Sequence, residues 1–398
     1  MQNRRAVLWI VMTLVALLLL AVSLGCLGLA FLAPTMRTIE AEQRNLSALL
    51  LASMGVLGLS VTAVLLWSCL EGSTERPAPL FYPRRAWITL TVGWLLSLAG
   101  AAALISAGTL NFLAAPLHVA LVILPALLLY AAAALTAGRQ AGVTRRQATL
   151  LSLSGAFSTL PAIVAESVGI LVSGLLVVVG ASVVPGGAQE LERLMEQLSQ
   201  WSQLPPQTIT PESLTTLFSS PVVLAIAFLT LAVITPFVEE LLKTLGVVVV
   251  GFRRRPQPLQ AFLWGAAAGL GFAIIEGVLN SSMSLTDGAS WAAGVGARLP
   301  ASAMHIFASG LVGLGWGYFW EGRQRWRVVV CYLIAMVFHG LWNFSVIAVA
   351  GIQSGASLPV AFTHAATIGG TLVVAVLALI AVVGIVGIPL RLRKRTTA

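Results

Sequence analysis

The stretch VVLAIAFLTLAVITPFVEELLKTLGVVVVGFRRR, residues 222–255, decides the fold. A bilayer crossing needs about 20 predominantly apolar residues, and Val222 to Val250 exceeds that length. Yet the run contains Glu239, Glu240 and Lys243 before it ends in Arg253, Arg254 and Arg255. Ionisable groups inside a membrane are expensive, and they face a protein interior or a water-filled cavity. The stretch therefore reads as a transmembrane helix whose charged middle meets other helices.

The rest of the chain agrees. Its 398 residues are 58% hydrophobic and 9% charged, against about 25% charged in ordinary soluble domains. Ten apolar runs follow one another, at 6–32, 47–70, 87–108, 112–137, 155–182, 222–250, 260–282, 299–320, 328–350 and 364–390. The expected fold is an all-α polytopic membrane protein of about ten transmembrane helices. Arginine-rich connections alternate with poorly basic ones. Arg4 and Arg5, Arg84 and Arg85, Arg145 and Arg146, Arg253 to Arg255, Arg325 and Arg327, and Arg391 to Arg395 all fall on one side. Basic loops mark the cytoplasmic side, so both termini are expected there. The net charge of +9 is thereby assigned to loops at the lipid bilayer, and no nucleic-acid partner is implied. Cys26, Cys69 and Cys331 lie in or beside apolar runs and read as packing residues, with no metal spacing. The apolar run after Arg4 and Arg5 is longer than the roughly 7–15 residues of a signal peptide, so it reads as an uncleaved first span. The expected location is a cell membrane, multi-pass, as in the bacterial cytoplasmic membrane.

Four blocks follow: five spans in 1–182, an outer segment in 183–221, four spans in 222–350, and a last span with a basic tail in 351–398. In the outer segment Leu191, Leu194, Met195, Leu198 and Trp201 recur at helical spacing, predicting an amphipathic helix on the membrane or over the protein. Thr210 and Pro211 read as the start of a second short helix.

Spans one to four are nearly free of ionisable groups, and His118 there reads as a packing histidine. Glu166 in span five reads as a structural partner of another helix. Spans six to nine differ, holding Glu239, Glu240, Lys243, Glu276, His305, His339 and Asn343. At about 1.5 Å per residue, Glu240 and Glu276 lie roughly 20 and 24 Å from the basic side, and His305 and His339 lie close to the same depth. That is one layer, slightly outside the midplane, and it predicts one shared site. Lys243 is i,i+4 from Glu239 and i,i+3 from Glu240, and His339 and Asn343 share a helix face. Pro236, one turn earlier, is expected to loosen the helix.

Carboxylates and imidazoles in a wet pocket of low dielectric can activate water. Asn and His can donate to a developing oxyanion. This is equipment for amide hydrolysis, and the same residue types could hold zinc. Ser309, i+4 from His305, is a weak nucleophile candidate, because intramembrane serines usually bond their own helix.

At these residues the sequence resembles the PrsW family of intramembrane proteases, grouped with CAAX-prenyl endopeptidases and bacteriocin-immunity membrane proteins. Four motifs in 222–350 carry the resemblance. They are EELLK (Glu239, Glu240, Lys243), GLGFAIIEGVLN with Phe272 and Glu276, PASAMHIFASGLVGLGWGYF with His305, and FHGLWNF with His339 and Asn343. The resemblance makes 222–350 a protease core and implies a glutamic-type endopeptidase acting on single-span or other membrane proteins, in some cases as regulated cleavage. In that reading Glu239 or Glu240, with Glu276 and His305, handles the water. His339 and Asn343 steady the oxyanion, Lys243 holds the glutamate pair charged, and Phe272 supports. No cofactor is favoured. A divalent metal such as zinc is the alternative, with Glu240, Glu276, His305 and His339 as its ligands. The chain departs from the family pattern at Ser309, where a carboxylate sometimes stands. The depth of the site implies cleavage in the outer half of the bilayer. Two other readings compete: a non-catalytic binding or immunity protein of the same group, and a proton-coupled transporter.

Overall fold

Apolar runs without free backbone partners in lipid must satisfy their hydrogen bonds internally, which a helix does. The computed structural model describes residues 2–35, 41–71, 79–80, 84–107, 112–203, 217, 220–283, 288–322, 324–353 and 360–396. Among them there is no strand, only an isolated bridge between Pro79 and Thr144. The helices are α1 (Gln2–Leu32), α2 (Ala41–Glu71), α3 (Arg84–Ser106), α4 (Ala115–Ala137), α5 (Arg145–Val183) and α6 (Gly187–Ser202). They continue with α7 (Pro221–Phe228), a π-turn (Leu229–Ile234), α8 (Thr235–Lys243) and α9 (Leu245–Arg254). The last are α10 (Pro258–Met283), α11 (Gly288–Gly296), α12 (Arg298–Glu321), α13 (Arg327–Gln353) and α14 (Val360–Thr396). Ten helical segments among the described residues are long and apolar enough to cross a membrane.

The ten expected spans are all present, with two large changes of boundary. The eighth, expected at 299–320, is the segment Ala289–Glu321. The fifth, expected at 155–182, is α5, which begins at Arg145. Its 39 residues extend well past the roughly 20 that a bilayer core needs. The amphipathic helix expected around Leu191–Trp201 is α6. Leu194 is buried, Leu191 and Trp201 are half-buried, and Met195 and Leu198 are exposed, so the protein covers its apolar stripe only in part. Ser220 Oγ donates to Glu190 Oε1 at 3.0 Å and ties its start to the beginning of α7. The short helix expected at Thr210 and Pro211 lies outside the described residues.

Several hydroxyl side chains within spans are satisfied locally. Ser23, Ser53, Ser60, Thr62, Ser68 and Ser97 each donate to a backbone carbonyl four residues earlier. Large apolar side chains such as Leu18, Leu96 and Leu171 are exposed, as expected for helix faces that meet lipid tails.

The chain divides into two compact units, each drawing on separated stretches. The first comprises Met1–Thr159, Lys243–Tyr332 and Ala381–Ala398, and the second Leu160–Leu242 and Leu333–Ile380. In the first unit α10 and α12 are central, with 78% and 83% of their spans buried against 6% for α3. Glycines make this possible. A side chain at Gly265 would strike Ser309 O, one at Gly269 would strike His305 O, and one at Gly313 would strike Ala261 O. The two antiparallel backbones touch at three successive turns. On another side of α10, Gly271 lies against Ser152 O, and Gly155 of α5 against Ala268 O. Small residues permit such approach in membranes, where apolar burial gives little drive between helices.

Three buried groups lock the same unit elsewhere. Trp291 Nε1 donates to His118 Nδ1 at 2.7 Å, and His118 Nε2 lies 2.9 Å from Ser281 Oγ. Indole N–H is donor only, so Nδ1 accepts and Nε2 carries the proton. Ser281 Oγ in turn donates to Gly277 O at 2.6 Å. His118 is thus the packing histidine the sequence predicts, tying α4, α10 and α11. Its proton-bearing Nε2 faces Ser281, so it cannot serve that hydroxyl as a base.

Candidate active site

In the second unit the site is built on a break in a helix. Pro236 has no N–H to give. Thr235 N–H bonds Thr230 O, five residues back, closing the π-turn Leu229–Ile234. The same register would have residue 236 serve Leu231 O, and proline cannot. Asn343 of α13 fills the gap, its Nδ2 donating to Leu231 O at 2.8 Å. Gly340, one turn earlier on α13, lets that helix approach Ala232 O, where a Cβ would collide. The loosening expected at Pro236 is therefore a defined π-turn with a side-chain patch.

This bend precedes α8, which carries both glutamates in nine residues. Glu239 is 5% exposed and Glu240 is fully buried. His339, also buried, meets both. Its Nδ1 lies 2.9 Å from Glu240 Oε1, and its Nε2 lies 3.8 Å from Glu239 Oε2. A carboxylate only accepts, so Nδ1 donates to Glu240. Nε2 of the neutral ring then presents its lone pair toward Glu239 Oε2. The 3.8 Å separation is too long for a direct hydrogen bond.

In the first unit Lys243, the last residue of α8, is fully buried. Its Nζ lies 2.8 Å from His305 Nδ1 and 4.2 Å from the centre of the Phe272 ring. The ammonium is donor only, so Nδ1 accepts and Nε2 carries the proton. Nε2 lies 2.5 Å from Glu276 Oε2. Asn280 Nδ2 donates to the other oxygen, Oε1, at 2.6 Å. A directed chain results: lysine to imidazole to carboxylate, with an amide behind. The Phe272 ring lies 5.5 Å from that of His305, giving the supporting residue a contact with both basic partners.

The sequence candidates therefore fall into two groups. Glu239, Glu240, His339 and Asn343 belong together in one unit, and Lys243, Phe272, Glu276 and His305 in the other. α8 contributes to both. Asn280 joins the site beyond the residues expected from sequence, although its i,i+4 spacing from Glu276 is a usable signal. That Asn343 serves a carbonyl has no sequence signature, because that demand arises only from the π-turn. Ser309 is buried on α12, one turn beyond His305.

The donors suit a divalent metal. Imidazole and carboxylate are common zinc ligands, and zinc bonds of about 2.0–2.2 Å set two ligand atoms roughly 3.4 Å apart. The Nε2 and Oε2 pair, at 3.8 Å, is close to that spacing. Glu240 on the far nitrogen is the carboxylate that commonly orients a metal-bound histidine.

Compared with known families, residues 144–383 match the one described as PrsW family intramembrane metalloprotease. No curated protein and no solved structure matches the chain. The family match spans more than half of the 398 residues and includes all four motifs, so the chain belongs to the PrsW family of intramembrane proteases.

Proposed function

We propose that this multi-pass protease hydrolyses a peptide bond of membrane-protein substrates with water activated by Glu239 and His339. One observation carries the proposal. A buried carboxylate oxygen and an imidazole nitrogen face each other across 3.8 Å, with Glu240 fixing the ring from behind. Structural packing alone has little use for two adjacent glutamates and a histidine at that depth.

Glu239 Oε2 takes a proton as water adds to the scissile carbonyl. Glu240 holds Nδ1–H of His339, so Nε2 stays turned toward the reacting water. The tetrahedral intermediate then expels the amine, whose nitrogen takes the proton that Glu239 received from the water, and the carboxylate is restored. In their own unit Glu276 and His305 are proposed as a second acid–base pair, with Lys243 fixing the tautomer that points Nε2–H at Glu276. Products are a new carboxylate and a new amine, with one water consumed.

The family's description as metalloproteases favours a divalent metal over the metal-free alternative. Glu239 and His339 would hold it, and Glu240 orients His339. When bound, the ion would supply Lewis-acid activation of the water or the carbonyl. The depth of these residues along their spans supports cleavage in the outer half of the bilayer, as in regulated cleavage of a single-span protein. The proposed membrane is the bacterial cytoplasmic one.

New protein N-termini in membranes expressing wild type, Glu239→Gln, Glu240→Gln, Glu276→Gln or His339→Gln at matched levels test this. Termini near the outer face that vanish in the variants are expected. Identical profiles for all five would overturn the hydrolytic reading in favour of a binding role. Metal content of the purified wild type and His339→Gln proteins tests the metal separately.

A further inference from the structure

A cavity of about 610 Å³ opens in the first unit, between α2, α4, α5 and α10. Nothing in the hydrolytic site uses it. Its walls are mainly aliphatic, including Leu57, Val61, Leu127, Leu153 and Ile274. Of its four hydroxyls, those of Ser60, Tyr130, Thr149 and Ser152, Ser60 bonds Val56 O at 2.8 Å and Tyr130 bonds Leu263 O at 3.3 Å, so these two are spent on the protein's own backbone. The one charged group on the lining is Arg145, exposed at the first residue of α5. Among the described residues Arg145 has no ion-pair partner.

We propose that this cavity binds one acyl chain of an anionic membrane phospholipid, with its phosphate against Arg145. Two features point to that occupant. The first is length. From Arg145 to Ala156 along α5 the lining runs for eleven residues, roughly 16 Å at the helical rise. That is about half of a 30 Å hydrocarbon core, the depth of one leaflet. The second is the rim. Leu80 N–H bonds Val143 O at 2.8 Å and Pro79 bridges Thr144. This clamp holds buried Leu80 on the same lining as Arg145. Arg139 lies in the turn between α4 and α5, Arg146 follows Arg145 on α5, and Arg393 donates to Thr136 O near the end of α4 at 3.2 Å. Basic pockets between spans favour anionic headgroups.

The floor gives the site a link to chemistry. Leu270, Gly271, Ile274 and Ile275 of α10 line the cavity. Phe272 and Glu276, from the positions beside them, belong to the Lys243 and His305 group. An acyl chain in the cavity therefore presses on the reverse side of the helix that carries Glu276.

Native mass spectrometry of the purified full chain tests the site, after exposure to phosphatidylglycerol or phosphatidylcholine and detergent washing. Wild type is expected to retain one phosphatidylglycerol in preference to phosphatidylcholine by roughly fivefold, the effect of one basic side chain at a lipid headgroup. Arg145→Gln removes the preference and Arg145→Lys keeps it. Ala156→Phe fills the cavity and abolishes retention of both lipids, while Leu171→Phe, on an exposed face of the same helix, leaves retention unchanged. Each variant is compared as a monodisperse species in gel filtration. Equal retention by wild type, Arg145→Gln and Ala156→Phe overturns the site. So does the absence of any retained lipid on wild type, or a co-purified peptide displaced by Ala156→Phe.

Discussion

Asn343 Nδ2 donates to Leu231 O at 2.8 Å, and that carbonyl lacks a helical partner because Pro236 has no N–H to offer it. The asparagine is thus a positioning residue for the bend that sets α8, whatever its remaining N–H does for an oxyanion. Asn343→Ala should lower stability by about 0.6–2 kcal/mol, the range for interhelical hydrogen bonds in membranes. In a Pro236→Ala background, residue 236 regains an N–H and can serve Leu231 O itself. The cost of Asn343→Ala should then shrink. Thermal unfolding of the four proteins in one detergent checks this, and an unchanged cost would refute the account of the break.

Lys243 is buried between His305 and Phe272. Lys243→Met should destabilise by about 3 kcal/mol, because removing one member of a buried charged chain leaves the other without compensation. Adding Glu276→Gln should cost less than the sum of the two single changes, since the carboxylate is then neutral. Strict additivity in the unfolding double-mutant cycle would show that the lysine, imidazole and carboxylate are not coupled.

Ser281 meets a histidine but should not act as a nucleophile. His118 Nε2 gives it a proton and Trp291 occupies Nδ1, so no base remains. Ser281→Ala should leave cleavage unchanged. Trp291→Phe should instead lower stability by about 1–3 kcal/mol, the penalty for an unsatisfied buried acceptor. Labelling of Ser281 by a serine-hydrolase reagent would contradict this.

Glycines should separate into two classes. Gly265→Ala and Gly269→Ala place a methyl against Ser309 O and His305 O, and should cost about 1–3 kcal/mol through overpacking. Gly28 of α1 has nothing within 4 Å of a added Cβ. Gly28→Ala should therefore be neutral, or stabilise by up to about 1 kcal/mol through helix propensity. Melting temperatures of the three variants decide it.

Much of this was legible in the sequence. Ten apolar runs gave ten spans, because length and hydropathy leave a bilayer-crossing chain little choice. His118 as a packing residue follows from its isolation among apolar spans, and the sharing of a face by His339 and Asn343 follows from their i,i+4 spacing. What stayed hidden depends on partners from distant stretches. Lys243 was expected to serve the glutamates, three and four residues away, and the structure sets its ammonium against His305, sixty-two residues on. The start of α5 at Arg145 was missed because hydropathy marks only the part of a helix that lies in lipid. The division of the glutamate pair's surroundings into Glu240 on Nδ1 and Glu239 facing Nε2 has no sequence signature at all.

The glycine seams of α10 also bear on how this chain can change over generations. Its backbone rests on carbonyls of α12 at Gly265 and Gly269, and on one of α5 at Gly271. Deleting or inserting one residue between Gly271 and Glu276 would swing the glutamate by about 100° around the helix, the turn per residue that 3.6 residues per turn implies. Placed before Gly265, the same event would drive side-chain-bearing residues into three carbonyls at once. Lineages should therefore vary the connections between helices in length while holding α10 to a fixed count, a pattern that an alignment of relatives would reveal as a gap-free block.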